Sequence, residues 1–199
     1  MGERVLETAV EQTVWDVIAL YLRQGYVHIL PMGLDHILFV LALFFASTRI
    51  KPLIWQISAF TLAHTLTLGL ATLGYVTLDP AIVEPIIALS IAFVAIENLV
   101  FKDMTRWRPA IVFAFGLFHG LGFAGVLSDY GLPQDQILPS LLSFNVGVEA
   151  GQLTIVGVCW LVLHRFADTS WYPRLVRIAS AAIALMAIWW TIERVFLGG

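Results

Sequence analysis

Three of the chain's five histidines, His36, His64 and His119, fall inside long apolar stretches, where an ionisable side chain is costly and is kept only facing protein. Neutral imidazole nitrogens are the ligands that zinc, nickel and other late first-row divalent ions prefer, and one carboxylate completes a first shell with three of them. Asp35, next to His36, and Glu149, in a later apolar stretch, are the candidate carboxylates. They are also the candidate general bases if a bound metal were to activate water. Asp35 could equally orient an imidazole, as carboxylates do for metal-bound histidines. His28, Ser90, Glu97, Asn98, Asn145 and Gln152 are the remaining polar residues placed to line a pathway or support such a site. The plainer role for any single intramembrane histidine is a hydrogen bond between helices. The metal reading, with nickel, cobalt or zinc as the ion, rests on the three occurring together.

The elements that must carry these residues follow from composition. The 199 residues are 59% hydrophobic and 13% charged, with a mean hydropathy of +0.86. Ordinary soluble domains have about 25% charged residues, so a soluble globular protein is excluded. At about 20 residues per membrane crossing the length suffices for six spans. Hydropathy places them near 27–47, 54–75, 81–101, 109–127, 137–163 and 175–196, giving an all-α polytopic bundle in a lipid bilayer. The net charge of −3 and the absence of a basic, aromatic-rich cluster argue against nucleic acid as a partner. Cys159 is the single cysteine and reads as a small buried hydrophobe.

Eight of the 11 Lys and Arg lie in or beside the first, third and fifth connections: Arg49, Lys51, Lys102, Arg106, Arg108, Arg165, Arg174 and Arg177. The second and fourth connections hold only Asp79, Asp129 and Asp135. Basic residues are retained on the cytoplasmic side, so both termini are expected outside. The tail before the first span carries Leu6, Val10, Thr13, Val17 and Leu20 on one face and Glu3, Glu7 and Glu11 on another. It reads as an amphipathic helix on the outer surface, against the bundle or on a second subunit. No cleavable signal peptide is expected. The division is therefore an N-terminal helix over 1–24, outside the bilayer, and a six-helix domain over 25–199.

In these spans Asp35 and His36 lie about nine residues in, roughly 13 Å deep at 1.5 Å per residue. His64 and His119, counted from the other surface, reach the same level, as do Ser90, Asn145 and Glu149. Residues three or four apart share a helix face, which groups Thr61, His64 and Thr65, and likewise Asn145, Glu149 and Gln152. Gly116 and Gly120 flank His119 at a spacing that lets another helix approach closely. Phe60, His64 and Leu66 are echoed by Phe115, His119 and Leu121, a hint of duplication. His28 is expected nearer the outer surface, Glu84 and Glu97 near span ends as gates or anchors, and His164 in solvent. The Trp residues fall mostly at span ends, as an interfacial belt requires.

Missing motifs narrow the chemistry. No Gly-x-x-x-x-Gly-Lys-Ser/Thr loop is present, which excludes nucleotide-driven pumping by this chain. His-Glu-x-x-His, Cys-x-x-Cys and Gly-x-Ser-x-Gly are absent too.

Several blocks together resemble the HupE/UreJ family of bacterial membrane proteins. They are Gly25 to Phe39 with Gly33-Leu34-Asp35-His36, Phe60-Thr61-Leu62-Ala63-His64, Glu84 to Ser90, Glu97-Asn98, Phe115 to Ala124 around His119, and Phe144-Asn145 through Glu149 to Gln152. In hydrogenase-linked members the first histidine precedes the last by seven and is followed by proline; here His28 precedes His36 by eight and is not. The resemblance implies a secondary permease for nickel or cobalt in the bacterial inner membrane. The same ligand set also suits an intramembrane zinc-dependent hydrolase, and a third reading is a scaffold whose N-terminal helix recruits a partner or a second copy.

Overall fold

A computed structural model of the chain describes residues 13–47, 49–101, 105–129, 133 and 135–197. The described residues form seven α-helices and no strand: α1 (Val14–Ile29), α2 (Leu34–Phe45), α3 (Ile50–Thr72), α4 (Pro80–Val100), α5 (Arg108–Asp129), α6 (Ile137–Leu163) and α7 (Tyr172–Phe196). A 3-10 turn, His164–Phe166, extends α6. By length and composition α3, α4, α6 and α7 can each cross a membrane. The pair α1 and α2 passes the same test as one span bent by 68°, and α5 is apolar over Arg108–Phe123. The architecture is compatible with the six expected spans.

Local chemistry sets the helix starts. Thr13 and Asp16 form a reciprocal capping box, with Thr13 Oγ1 accepting from the Asp16 amide at 3.3 Å and Asp16 Oδ2 accepting from the Thr13 amide at 3.0 Å. At α4, Asp79 Oδ1 accepts from the Ala81 amide at 2.9 Å and Pro80 takes the first helical position. Pro85 lies within α4, so the helix begins a turn before the Glu84-Pro85 pair.

The expected single helix over 27–47 is instead two helices. Pro31 has no amide hydrogen and excludes its predecessor from helical geometry; Leu30 is accordingly extended, at φ −122° and ψ 115°. The break costs no backbone donor. The amides of Leu30, Met32, Gly33 and Leu34 donate to the carbonyls of Tyr26, Val27, Ile29 and Met32 at 2.8–3.3 Å. Upstream, α1 runs unbroken through residue 24, where the N-terminal helix had been divided from the membrane domain. Its buried face is Val17, Tyr21, Gly25 and Ile29, an i, i+4 row, while Leu20 is 39% exposed. Tyr21 thus takes the inward place assigned to Leu20, because a strict four-residue row suits helices packed at close range. Leu6, Val10, Glu3, Glu7 and Glu11 lie outside the described residues.

Three helix pairs make the most extensive contacts: α3 with α5, α1 with α6, and α4 with α7. The short α2 lies among them and meets α1, α3, α4, α6 and α7. Its Phe39, Val40, Ala42, Leu43 and Phe44 are buried in the core. Glycines hold two of the seams: a Cβ on Gly25 or Gly147 would meet the backbone carbonyl of Phe144 or Leu22, and one on Gly120 the carbonyl of His64. At the far end, buried Arg108 bonds Asn98 Oδ1 through both terminal nitrogens at 3.1 Å and pairs with Glu97 at 3.4 Å.

Replacing Gly147 by Leu forces α1 away from α6 and should destabilise the fold by about 1–3 kcal/mol, the usual cost of overpacking. A thermal melt in detergent several degrees below wild type is the expected result; an unchanged melt would contradict this seam.

Candidate metal centre

The interruption between α1 and α2 positions the first two ligands. His28 ends α1 and His36 stands in the first turn of α2, with ring centroids 4.8 Å apart and edge to face. From α3, His64 comes within 6.0 Å of His36 and 6.4 Å of His28, centroid to centroid. One nitrogen from each of His28, His36 and His64 lies within 4.8 Å of the others. His119, carried by α5, is 4.9 Å from His36. His36, His64 and His119 are thus brought together as their common depth predicted, and His28 joins them rather than standing apart near the surface.

Neighbouring groups fix which nitrogen His64 and His119 offer. The Asn145 amide donates to the Leu141 carbonyl at 2.8 Å, which turns its Oδ1 toward His64 Nδ1 at 2.9 Å. An oxygen acceptor there requires the proton on Nδ1, so the lone pair sits on Nε2, which is buried with no partner. Ser90 donates to the Ile87 carbonyl at 2.6 Å and accepts from His119 Nε2 at 3.0 Å, leaving His119 Nδ1 with the lone pair and no partner. His28 Nε2 and His36 Nε2 are likewise buried and unpartnered. Buried polar atoms are almost always paired. Imidazole nitrogen is the donor type that suits late first-row divalent ions, and His28, His36 and His64 are the three whose nitrogens come within 4.8 Å of one another, with His119 beside His36.

Aromatic rings wall the cluster. Phe60 lies 4.9 Å from His119 and 5.9 Å from His36, Phe39 lies 5.3 Å from His119, and Phe123 covers His28 at 3.9 Å. On the remaining side a cleft of about 430 Å3 leads to His28, His36 and His119, with Asp35, Glu84 and Arg194 among its lining.

The carboxylates have other partners. Asp35 receives both its oxygens' bonds from Arg194, at 3.1 and 3.0 Å. Glu149 accepts from Ser58 Oγ at 2.6 Å, and Gln152 accepts from Thr61 at 3.0 Å on the same α3–α6 seam. Glu97 and Asn98 belong to the Arg108 network, where Thr105 also donates to Glu97 at 2.6 Å and Asn98 donates to the Ala42 carbonyl at 2.8 Å. Cys159 is half-buried, and exposed His164 stacks on Trp160 at 4.3 Å.

Arg194 and Ser58 were not singled out by sequence. A signal existed for Arg194: with Arg4 and Arg23 it is one of the three basic residues outside the basic connections. A cation against the prevailing bias needs a local partner, and Asp35 is that partner. The family profile described as HupE / UreJ protein matches residues 5–194. The chain belongs to the HupE/UreJ family. A search of characterised proteins and one of solved structures gave no match. The match spans every helix that carries these histidines, and the apolar helices mark the HupE/UreJ chain as a membrane protein.

Substituting Asn145 with Leu removes the acceptor that holds the His64 tautomer. Loss of such a supporting bond typically weakens metal affinity by about 10–100-fold. Titration calorimetry of nickel into the purified variant checks this; wild-type affinity would show that Asn145 does not support the site.

Proposed function

We propose that this HupE/UreJ protein is a secondary permease carrying a divalent transition metal, nickel or cobalt, through the histidine cluster across the bacterial inner membrane. The observation that carries the reading is the set of four buried, unpartnered imidazole nitrogens, three of them on the histidines that line an open cleft, His28, His36 and His119. A metal is the substrate here. His28, His36 and His64 would bind it, with His119 beside them, and neutral nitrogen ligands exchange without a proton having to be removed from each one.

The distribution of basic residues supports an orientation with both termini outside, which turns the cleft outward, since Glu84 near the start of α4 and Arg194 near the end of α7 line it. Asp35 and Glu84 at the mouth favour cations through their field. Beyond the cluster the α3–α6 seam continues as a polar ladder, His64 with Asn145, Thr61 with Gln152 and Ser58 with Glu149. From His64 the Thr61 and Ser58 rungs step toward the start of α3, the cytoplasmic end in this orientation. The ladder supplies a way inward through an otherwise apolar interface.

Carriage is favoured over hydrolysis by the carboxylates. A zinc hydrolase would need a free base beside the metal, whereas Asp35 is engaged by Arg194 and Glu149 by Ser58. His64→Ala should abolish nickel or cobalt uptake into cells while leaving a folded, membrane-inserted protein; normal uptake would overturn the proposal. Metal content after detergent purification separates the alternatives. Little retained metal and reversible binding of added nickel fit a permease, and about one tightly held zinc per chain fits a hydrolase.

A further inference from the structure

The cleft above the histidines is closed on one side by an ion pair that joins the last helix to the second. Arg194, two residues before the end of α7, donates through Nη2 to both oxygens of Asp35, and its other terminal nitrogen donates to the Glu84 carbonyl of α4 at 3.1 Å. Its guanidinium also stands 5.5 Å from the Trp190 ring. Both charged side chains are partly exposed, 19% for Arg194 and 26% for Asp35, so the pair is set within the cleft wall and open to whatever enters. Asp35 directly precedes His36, which holds one of the orphaned nitrogens.

We propose that Arg194 is a built-in competitor for the metal: it occupies Asp35 until a divalent cation takes its place, and so sets both the selectivity and the ease of release of the site. The inference rests on the histidine cluster being the metal site. Three neutral imidazoles leave a dipositive ion uncompensated in a low-dielectric surrounding, and Asp35 is the anion nearest in sequence to them. A monovalent ion gains no more charge attraction from Asp35 than the guanidinium already does. A divalent ion gains about twice as much at equal distance, because the interaction scales with the product of charges. Displaced Arg194 has somewhere to go: a cation in the last turn of a helix is favoured by the helix dipole, and its long stem lets the head reach water. When the metal leaves, the guanidinium returns, so Asp35 is never left unpaired in the wall.

The test is nickel binding to the full-length protein in detergent, by titration calorimetry, for wild type, Arg194→Gln, Arg194→Lys, Asp35→Asn and the Arg194→Gln/Asp35→Asn double variant, each checked by thermal melt. Freed of its competitor, Asp35 should bind the ion about tenfold more tightly in Arg194→Gln. Arg194→Lys, which keeps the charge but loses the second terminal nitrogen that anchors the head on the Glu84 carbonyl, should lie between that and wild type and serves if the glutamine variant fails to fold. Asp35→Asn should weaken binding, and the double variant should match Asp35→Asn, because Arg194 acts only through Asp35. Potassium chloride should compete with nickel in Arg194→Gln and not in wild type. Nickel binding by wild type with Arg194→Gln unchanged or weaker, or a double variant that differs from Asp35→Asn, overturns the competitor role and leaves the histidine site standing. No nickel binding by wild type overturns both.

Discussion

An apolar solvent offers no partner to a free amide or carbonyl, so a spanning helix can be interrupted only where protein or an aqueous cleft encloses the break. The interruption at residues 30–33 meets that condition, with its backbone donors returned to carbonyls of α1 and the break itself, and with Met32, Gly33 and Leu34 lining the cleft. Everything in the site depends on it. A continuous helix would set residues eight apart about 12 Å apart along its axis. The bend instead brings the rings of His28 and His36 to 4.8 Å. Binding sites at breaks in helices are a recurrent device of secondary transporters, and here the break supplies two ligands from one segment.

The other two imidazoles are placed by glycine. Gly116 and Gly120 let α5 lie directly on the α3 backbone at Phe60 and His64, which brings His119 against Phe60 at 4.9 Å. Phe60 in turn touches His36, His64 and His119. The same residues therefore pack the bundle and aim the ligands, and Thr67, donating to the Leu117 carbonyl at 2.7 Å, ties the two helices again a turn further on. On the opposite side Gly25, Gly147 and Gly151 do the equivalent for α1 and α6, carrying His28 and Asn145 to the same level.

Much of this was legible before any coordinates. Composition gave the solvent, hydropathy gave the helices, and counting residues inward put His36, His64 and His119 at one depth; Gly116 and Gly120 announced the close seam. What was hidden has one physical cause. Hydropathy averages over a window and is blind to a four-residue interruption whose residues are mostly apolar, so Leu30-Pro31-Met32-Gly33 reads as the outer part of a span that begins near 27. With the break unseen, His28 could only be counted as a turn or two above His36. Pairing was equally invisible: nothing local to Asp35 announces a partner 159 positions away, and only the misplaced charge of Arg194 hinted that one existed. Glu149 illustrates the converse, since a correct face and depth still left it bonded to Ser58 on the α3–α6 seam.

The distribution of charge follows from the same solvent. An isolated ion within a membrane is far costlier than a paired one, and two intramembrane carboxylates are paired accordingly, Asp35 with Arg194 and Glu97 with Arg108, while Glu149 is held by the Ser58 hydroxyl. The ligand cluster, by contrast, is built from groups that carry no charge when they bind and hydrogen-bond partners, Asn145 and Ser90, that are neutral too. A site assembled from carboxylates would need to be neutralised whenever its ion departed. Neutral imidazoles need no counter-ion of their own, and the one carboxylate beside them, Asp35, is balanced by Arg194. The four unpartnered imidazole nitrogens carry a burial cost, which the packing of Phe39, Phe60 and Phe123 around them offsets. That balance is what lets a single small bundle keep the candidate metal centre in its interior.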